Sequence, residues 1–227
     1  SDMIRTKDII VFRAVCNMVY RNASLSTTKV NQTSTKLYDI VTAMVQLVLS
    51  STEGVHEIVF NDIIEVIRHV VQNMPTKKKT SFVIDTVNTV ANKTDVLCSS
   101  STANSAAPLQ QKQQKRYRYQ MLSVLSTCLC SMNKNEDEIM KIESMNSIFT
   151  NLCEIALGND NISNSDRSDR TTLNIIEVAS QAAGSIVNKM PKGELLEQML
   201  LENIIKENSS SLLTTIIPGS SNFVVHA

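Results

Sequence analysis

The stretch VHEIVFNDIIEVIRHVVQNM, residues 55–74, decides between a helical and a strand-based fold. Its many β-branched residues are compatible with a strand as well as with a helix. However, the apolar residues recur every three or four positions, the period of one helical face, and the unbroken run exceeds the usual length of a strand. The stretch therefore predicts an amphipathic helix whose inward face consists of Val59, Ile63, Val66, Ile67 and Val70.

The same period continues on both sides of this stretch. The chain of 227 residues contains 5 Gly and 4 Pro, so few positions force a helix to break. Polar stretches separate eight periodic segments, which lie near 4–22, 36–51, 55–74, 76–97, 112–132, 136–157, 171–189 and 192–207. We predict an all-α fold of about eight helices, arranged as an antiparallel multi-helix bundle or as a short stack of helical pairs.

The termini and two internal segments differ in composition from the helical segments. Residues 1–3 resemble the remnant of an expression tag, and one helical domain is predicted at 4–208. Within this domain, residues 98–116 and 159–170 lose the apolar period, which predicts two mobile loops. Residues 209–227 contain a Pro-Gly turn followed by strand-type residues, so we predict an extended, strand-like tail.

The overall charge argues against a protein that attracts its partners through a global electrostatic field. The 22 Lys and Arg residues balance the 22 Asp and Glu residues, so no net charge favours nucleic acid or an anionic membrane. No apolar run reaches the roughly 18 residues of a membrane span, so we expect no membrane insertion. The five cysteines show no metal-binding spacing, and their odd number leaves at least one thiol unpaired.

The sequence motifs of the common enzymes and cofactor sites are missing. The chain contains no GxGxxG, no GxxxxGK[ST] and no GxSxG. His56 and Glu57 match the start of a zinc-protease helix, but Phe60 stands where that motif needs its second histidine. We therefore expect a non-catalytic protein with no cofactor and no bound metal.

Two basic clusters are the strongest local charges. The first is KKK at residues 77–79, and the second is KQQKRYRYQ at residues 112–120, in which basic residues alternate with tyrosines. Such residues can bind a phosphate backbone and stack on a base. Each cluster falls at a predicted helix start, so solvated helix ends are the favoured interpretation. The alternative is a basic contact patch formed by Lys77, Lys78, Lys79, Lys115, Arg116 and Arg118.

Asn-x-Ser/Thr sequences provide candidate glycosylation sites. They occur at Asn22, Asn31, Asn92, Asn161 and Asn208. All except Asn92 lie in or beside predicted loops or helix ends, where a glycan has room. This placement is compatible with an extracellular protein.

The order and texture of the helical segments resemble a known family. The resemblance is carried by the segment from STKLYDIV to DTVNTVAN (34–92) and by RYQMLSVLSTCLC (118–130), EDEIMKIESMNSIFTNLCEIA (136–156), TTLNIIEVASQAAGSIVNKM (171–190) and IIPGSSNFVVHA (216–227). They resemble the helical region of the polycystin and sperm receptor-for-egg-jelly proteins, which is related to the helical half of the autoproteolysis-inducing domain of adhesion receptors. The resemblance implies that a β-sandwich follows and that the tail is its first strand. The family's cleavage tripeptide is absent, because His226 is followed only by Ala227, so this chain should not cleave itself.

From the resemblance we predict a non-catalytic, glycosylated module in the extracellular part of a large membrane receptor. It would support adhesion, ligand recognition or a neighbouring domain of the same chain. The first alternative is an intracellular α-helical scaffold that binds a partner protein, which requires reduced cysteines and unglycosylated loops. The second alternative is a weak nucleic-acid binder whose affinity falls steeply with salt.

Overall fold

The computed structural model describes residues 13–21, 33–51, 54–93, 108–132, 143–157 and 169–189. Within these ranges the chain forms seven helices and no strand: α1 (13–21), α2 (Thr33–Ser50), α3 (Glu57–Gln72), α4 (Thr76–Ala91), α5 (Pro108–Cys130), α6 (Glu143–Ala156) and α7 (Arg170–Lys189). The all-α prediction is confirmed. The eighth predicted helix (192–207), the tail and residues 1–3 lie outside the described residues.

Most of the β-branched stretch at 55–74 forms α3. All five residues predicted to face inward are buried: Val59, Ile63, Val66, Ile67 and Val70. The helix begins after His56, whose Nδ1 accepts a hydrogen bond from the backbone N–H of Ile58 (3.3 Å). It ends before Pro75, whose position directly precedes α4. The helical interpretation of this β-branched stretch is therefore confirmed.

Helix α5 begins at Pro108, four residues before its predicted start at 112. Proline suits the first position of a helix, because its ring presets the helical φ angle and its missing N–H would have no partner there. The glutamines and lysines that follow are good helix formers. Residues 108–116 are therefore helical, although their composition suggests a loop, and residues 98–107 lie outside the described residues.

Helices α1, α3, α5 and α7 lie side by side and run in the same direction. Contacts near the start of one helix involve the start of the next, and contacts near the end involve the end. We call these four helices the front layer. The contacts that set their directions join Arg13 to Asp62 and Tyr20 to His69 (α1 and α3), Gly54 to Arg116 and Phe60 to Tyr119 (α3 and α5), and Asp169 to Lys115 and Lys189 to Leu129 (α5 and α7).

Helices α2, α4 and α6 form a second layer, which we call the back layer. The ammonium group of Lys78 lies over the ring of Tyr38 (4.9 Å) near the starts of α4 and α2. Beyond the end of α4, Lys93 Nζ donates to the carbonyl oxygen of Leu49 near the end of α2, so these two helices are parallel. Helix α6 packs against α4 and α7. Short connections reverse the chain between α2, α3 and α4, so helical pairs stack along the molecule.

The hydrophobic core lies between the two layers, and α5 is central to it. This helix packs against α2 and α4 of the back layer and against α3 and α7 of the front layer. Its residues Met121, Leu122, Val124, Leu125 and Leu129 are completely buried. In the described ranges, none of the helices is both long and apolar enough to cross a bilayer.

Candidate functional site

An open groove of about 400 Å³ lies on the front layer, where α3 and α7 pack against α5 and leave part of its outer face uncovered. We call it the front groove. Its volume is within the range of protein ligand sites. The floor consists of Tyr119, Ser123, Ser126 and Thr127 of α5. The walls consist of Phe60, Asn61, Ile64, Glu65 and Arg68 of α3 and of Asn174, Glu177, Val178 and Gln181 of α7.

One half of the front groove is apolar. Phe60 and Tyr119 meet edge to face, with ring centroids 6.0 Å apart. The half-buried side chains of Ile64 and Val178 complete this part of the lining. Ile64 lies four residues after Phe60 and therefore on the same face of α3. This half can cover apolar groups of a bound molecule.

The other half of the floor carries hydroxyl groups. Ser123 Oγ donates to the carbonyl oxygen of Tyr119 (2.8 Å), and Thr127 Oγ1 donates to that of Ser123 (2.8 Å). A hydroxyl group has one proton and two acceptor positions. Because both protons bind the backbone of α5, the oxygens face the groove as hydrogen-bond acceptors.

Each wall of the front groove contributes one carboxylate. Glu65 pairs with Arg68 on the same helix (2.5 Å), and Glu177 accepts a hydrogen bond from Gln181 Nε2 (3.3 Å). Two carboxylates and one guanidinium leave the lining with a negative charge. Among the described residues, no group of three or more His, Cys, Asp or Glu is placed to hold a metal ion.

The start of α7 is fixed to α5 by Asp169. Its Oδ1 accepts a hydrogen bond from the backbone N–H of Thr171 (3.3 Å), and its Oδ2 pairs with Lys115 Nζ (3.4 Å). Burial raises the pKa of the Asp169 carboxyl, but the Thr171 hydrogen bond and the Lys115 charge outweigh burial, so the pKa is lowered. Asp169 is therefore an ionised helix cap that also joins two helices.

The end of α7 is fixed to α5 by Lys189. Its Nζ donates to the carbonyl oxygens of Leu129 (2.8 Å), Cys130 (2.6 Å) and Met132 (2.6 Å). These carbonyls are at the C-terminus of α5, where the helix itself offers no further N–H groups. Lys189 thus satisfies them and holds one wall of the front groove against its floor.

The predicted basic and aromatic cluster at 112–120 mainly binds the connection between α2 and α3. Gln120 Nε2 donates to the carbonyl oxygen of Val55 (2.7 Å), and the N–H of Val55 donates to Gln120 Oε1 (2.7 Å). Tyr117 Oη donates to the carbonyl oxygen of Leu49 (2.6 Å). Gly54 has a φ of 79°, and a Cβ atom there would lie 2.9 Å from Gln120 Oε1, so glycine fits this turn. We call Arg116, Tyr117 and Gln120 the α5 clamp.

The basic residues of the proposed contact patch have unequal surroundings. Lys77 and Lys78 are exposed, as expected for a solvated helix end. Lys79 and Arg118 are buried instead, because they fall on the inward faces of α4 and α5. Lys79 Nζ donates to the carbonyl oxygen of Gln72 (3.3 Å). The other two residues make contacts within the fold, Lys115 with Asp169 and Arg116 Nη2 with the carbonyl oxygen of Gly54 (3.4 Å).

The four cysteines in the described ranges are free thiols. Burial raises the pKa of Cys16 to about 11 and those of Cys128 and Cys153 to about 12. A thiol reacts as its thiolate, so these three are unreactive near neutral pH. Cys130 is exposed, one turn beyond the hydroxyl half of the groove floor. Cys98 lies outside the described residues.

One of the five candidate glycosylation sites falls on a described residue. Asn92 is exposed and follows the last residue of α4. The other four, Asn22, Asn31, Asn161 and Asn208, lie outside the described residues.

Comparison with known proteins gives one match. A model of the RNAPII transcription regulator C-terminal family (MMS19_C) matches residues 5–221. No curated protein and no solved structure matches the chain. The matched residues include all seven described helices and therefore both layers of the fold.

This match overturns the resemblance to the polycystin and receptor-for-egg-jelly proteins, which is wrong. Regulators of RNAPII act inside the cell, so the predicted receptor ectodomain, its role in adhesion, its extracellular localisation and its description as a glycoprotein are wrong as well. The resemblance rested on the order of the amphipathic helices and on the polar segments between them. Any all-α protein with amphipathic helices shows these features, so they do not identify a family. The match agrees with the first alternative, an intracellular helical scaffold.

Sequence reasoning missed the front groove. Apart from Tyr119, which belongs to the basic and aromatic cluster, its floor lies within MLSVLSTCLC, residues 121–130, which reads as an ordinary core segment. The available signal was the pair Ser123 and Thr127, two hydroxyl residues four positions apart in a run that contains one further hydroxyl residue, Ser126. That spacing places both on one helical face.

Proposed function

Because this chain belongs to the RNAPII transcription regulator C-terminal family, we propose that it is an intracellular helical scaffold that binds a partner protein of the transcription machinery in the front groove. It acts through surface complementarity and catalyses no reaction. The observation that carries this proposal is the groove itself, an open site lined by three helices of one layer. Stacks of helical pairs commonly bind their partners on such extended surfaces.

The groove is built on parts of the fold that are fixed before a partner arrives. Its floor belongs to the central helix α5, and Asp169 and Lys189 hold both ends of the α7 wall against that helix. A site with fixed walls loses little conformational entropy on binding. The contacts that hold α7 therefore support a docking role.

The chemistry of the lining favours binding over catalysis. Strongly shifted pKa values often mark active sites. In the described residues the large shifts are those of the buried thiols Cys16, Cys128 and Cys153, whose pKa values burial raises and none of which lines the groove. Glu65 and Glu177 are exposed and on separate walls. Their negative charge also disfavours a phosphate backbone, which supports a protein partner over nucleic acid.

Photo-crosslinking at single positions tests this proposal. We place p-benzoylphenylalanine at Asn61 on the groove wall and, as a matched control, at Asn146, an exposed asparagine on α6 in the back layer. In nuclear extract, the Asn61 variant should form a crosslink to one discrete protein that copurifies with RNAPII. The Asn146 variant should not form it.

Blocking variants make the test specific to the groove. Ser123→Phe fills the groove from its floor, and Gln181→Trp fills it from an exposed wall position. Each should abolish the Asn61 crosslink while circular dichroism and the melting temperature show an intact fold. Equal crosslinking from both asparagine positions, or a crosslink that survives both blocking variants, would overturn the proposal.

A further inference from the structure

We infer that the front groove receives an arginine side chain of the partner protein, with the guanidinium between Glu65 and Glu177. This inference rests on the proposed function, because it names the chemical group that the same groove binds. It follows from the positions of the two carboxylates, the hydrogen-bonding state of the floor and the apolar half of the lining.

The two carboxylates face the groove from opposite walls at similar heights. Glu65 lies five residues after Phe60, which contacts Tyr119 of the floor. Glu177 lies eight residues after Asp169, which pairs with Lys115 of α5. At 1.5 Å per residue, both carboxylates lie about one to two turns beyond Tyr119. A cation in the groove therefore meets one carboxylate from each side.

Both carboxylates are available to an incoming cation. Among the described residues, Glu177 contacts the uncharged amide of Gln181 and forms no ion pair. Glu65 pairs with Arg68, but the two side chains are 63% and 48% exposed. Exposed pairs of this kind contribute little to stability, so Glu65 can turn towards a new cation at small cost.

Two hydroxyl groups of the floor, those of Ser123 and Thr127, add acceptor oxygens. Ser123 and Thr127 have already donated their protons to the backbone of α5. Together with Glu65 and Glu177, four groups thus present acceptor oxygens to one space. A guanidinium has five N–H donors in a fixed plane, whereas an ammonium has three, so this acceptor set fits arginine better than lysine.

The apolar half of the groove suits the rest of the arginine side chain. The aliphatic stem can lie against Ile64 and Val178. Along α3 the lining extends from Phe60 to Arg68, a separation of eight positions or about 12 Å. This length corresponds to three or four residues of extended chain.

Capped tripeptides test the inference on the full chain. The probes are acetyl-Ala-Arg-Ala-amide, its lysine and glutamate analogues and its citrulline analogue, which keeps the shape of arginine without its charge. Titrations are followed by ¹⁵N–¹H NMR. As a second readout, we follow the alkylation rate of Cys130 in a Cys98→Ser background, because an occupied groove shields the nearby thiol.

The arginine peptide should shift resonances of α3, α5 and α7 around the groove and slow the alkylation of Cys130. The citrulline peptide should bind about tenfold more weakly or worse, since hydrogen bonds to charged groups are the stronger ones. Glu177→Gln should weaken arginine binding about fivefold. Asp85→Asn, the same charge change at an exposed position of α4 in the back layer, should leave it unchanged.

Several results would overturn the inference. These are equal binding of the arginine and citrulline peptides, equal or tighter binding of the lysine or glutamate peptide, and equal effects of Glu177→Gln and Asp85→Asn. If the Asn61 crosslink forms while the arginine peptide fails, the groove binds a protein through other chemistry and this inference alone is wrong. If the crosslink also fails, the proposed function is wrong.

Discussion

The two halves of α5 differ in how their sequence misleads about exposure: the first half suggests a binding surface, and the second half suggests core. Residues 112–120 carry the charges and aromatic rings that suggest a binding site, yet Tyr117 and Gln120 are buried against the α2–α3 connection. Residues 121–130 read as core, yet Ser123 and Thr127 belong to the floor of the front groove. The difference shows that a polar side chain is available to a partner only where the fold has not already used it.

Breaking the α5 clamp should have the largest effect. Gln120 is 1% exposed and makes two hydrogen bonds to Val55. Gln120→Leu keeps a similar volume but leaves the N–H and C=O of Val55 without their partners. We expect the free energy of unfolding to fall by about 2–4 kcal/mol, measured by urea denaturation.

A second glutamine of α5 provides the control for this substitution. Gln114 is exposed on the same helix, and Gln114→Leu should change the free energy of unfolding by less than about 0.5 kcal/mol. Equal effects of the two substitutions would show that the first half of α5 is not a clamp.

Removing the cap that joins α7 to the first half of α5 should have an intermediate effect. Asp169→Ala should reduce the free energy of unfolding by about 1 kcal/mol at pH 7, since it removes a helix cap and the partner of Lys115. The pKa of Asp169 is lowered in the folded state. Its stabilising contribution is therefore complete above the unfolded pKa, about 3.9, and is lost as the pH falls through the lower folded pKa.

Urea denaturation between pH 2 and pH 7 measures this dependence. The difference in free energy of unfolding between the wild type and Asp169→Ala should shrink in acid. Asp169→Asn keeps an oxygen for the cap, so its free energy of unfolding at pH 7 should fall less than that of Asp169→Ala. A difference that stays constant across this pH range would contradict the assignment.

Changing the groove floor should have the smallest effect on stability. The hydroxyl of Ser123 binds a carbonyl of its own helix, so Ser123→Ala should change the free energy of unfolding by less than about 0.5 kcal/mol. It should nevertheless weaken binding of the arginine tripeptide about two- to fivefold, because one acceptor is lost.

Ser180→Ala is the matched control for this substitution. Ser180 also donates to its own helix, at the carbonyl oxygen of Ile176 (2.8 Å), but does not line the groove. Ser180→Ala should change the free energy of unfolding by as little as Ser123→Ala does, and it should leave tripeptide binding unchanged. Equal loss of binding in both variants would show that the Ser123 hydroxyl does not take part in binding the tripeptide.

The helices could be predicted because local spacing reports burial directly. Ile63 and Ile67, four residues apart, are both completely buried, as their period indicates. The clamp could not be predicted in this way, because Gln120 and Val55 are 65 residues apart in sequence. The groove depends on how far α3 and α7 stand apart across α5, and no local pattern encodes that distance.

The basic clusters do not form one exposed surface, because their residues point in different directions around their helices. Charge at a helix start is usually solvated, and Lys77 and Lys78 follow that rule. Lys79 does not, because the rotation of α4 turns it towards neighbouring helices, and Arg118, which lies in the middle of α5 and not at its start, also faces inward. The direction in which each side chain points from the helix axis decides its exposure. Consecutive residues of a helix point in different directions, so a run of like charges cannot all face solvent.

The shared direction of the front-layer helices gives the groove a polarity of its own. Peptide dipoles in α3, α5 and α7 point the same way, so their effects add along the groove axis. The end near Phe60 is the more positive one, and the end near Gln181 is the more negative. A partner strand with unlike charges at its two ends would therefore bind in one orientation, which lets the scaffold set the direction of the chain it holds.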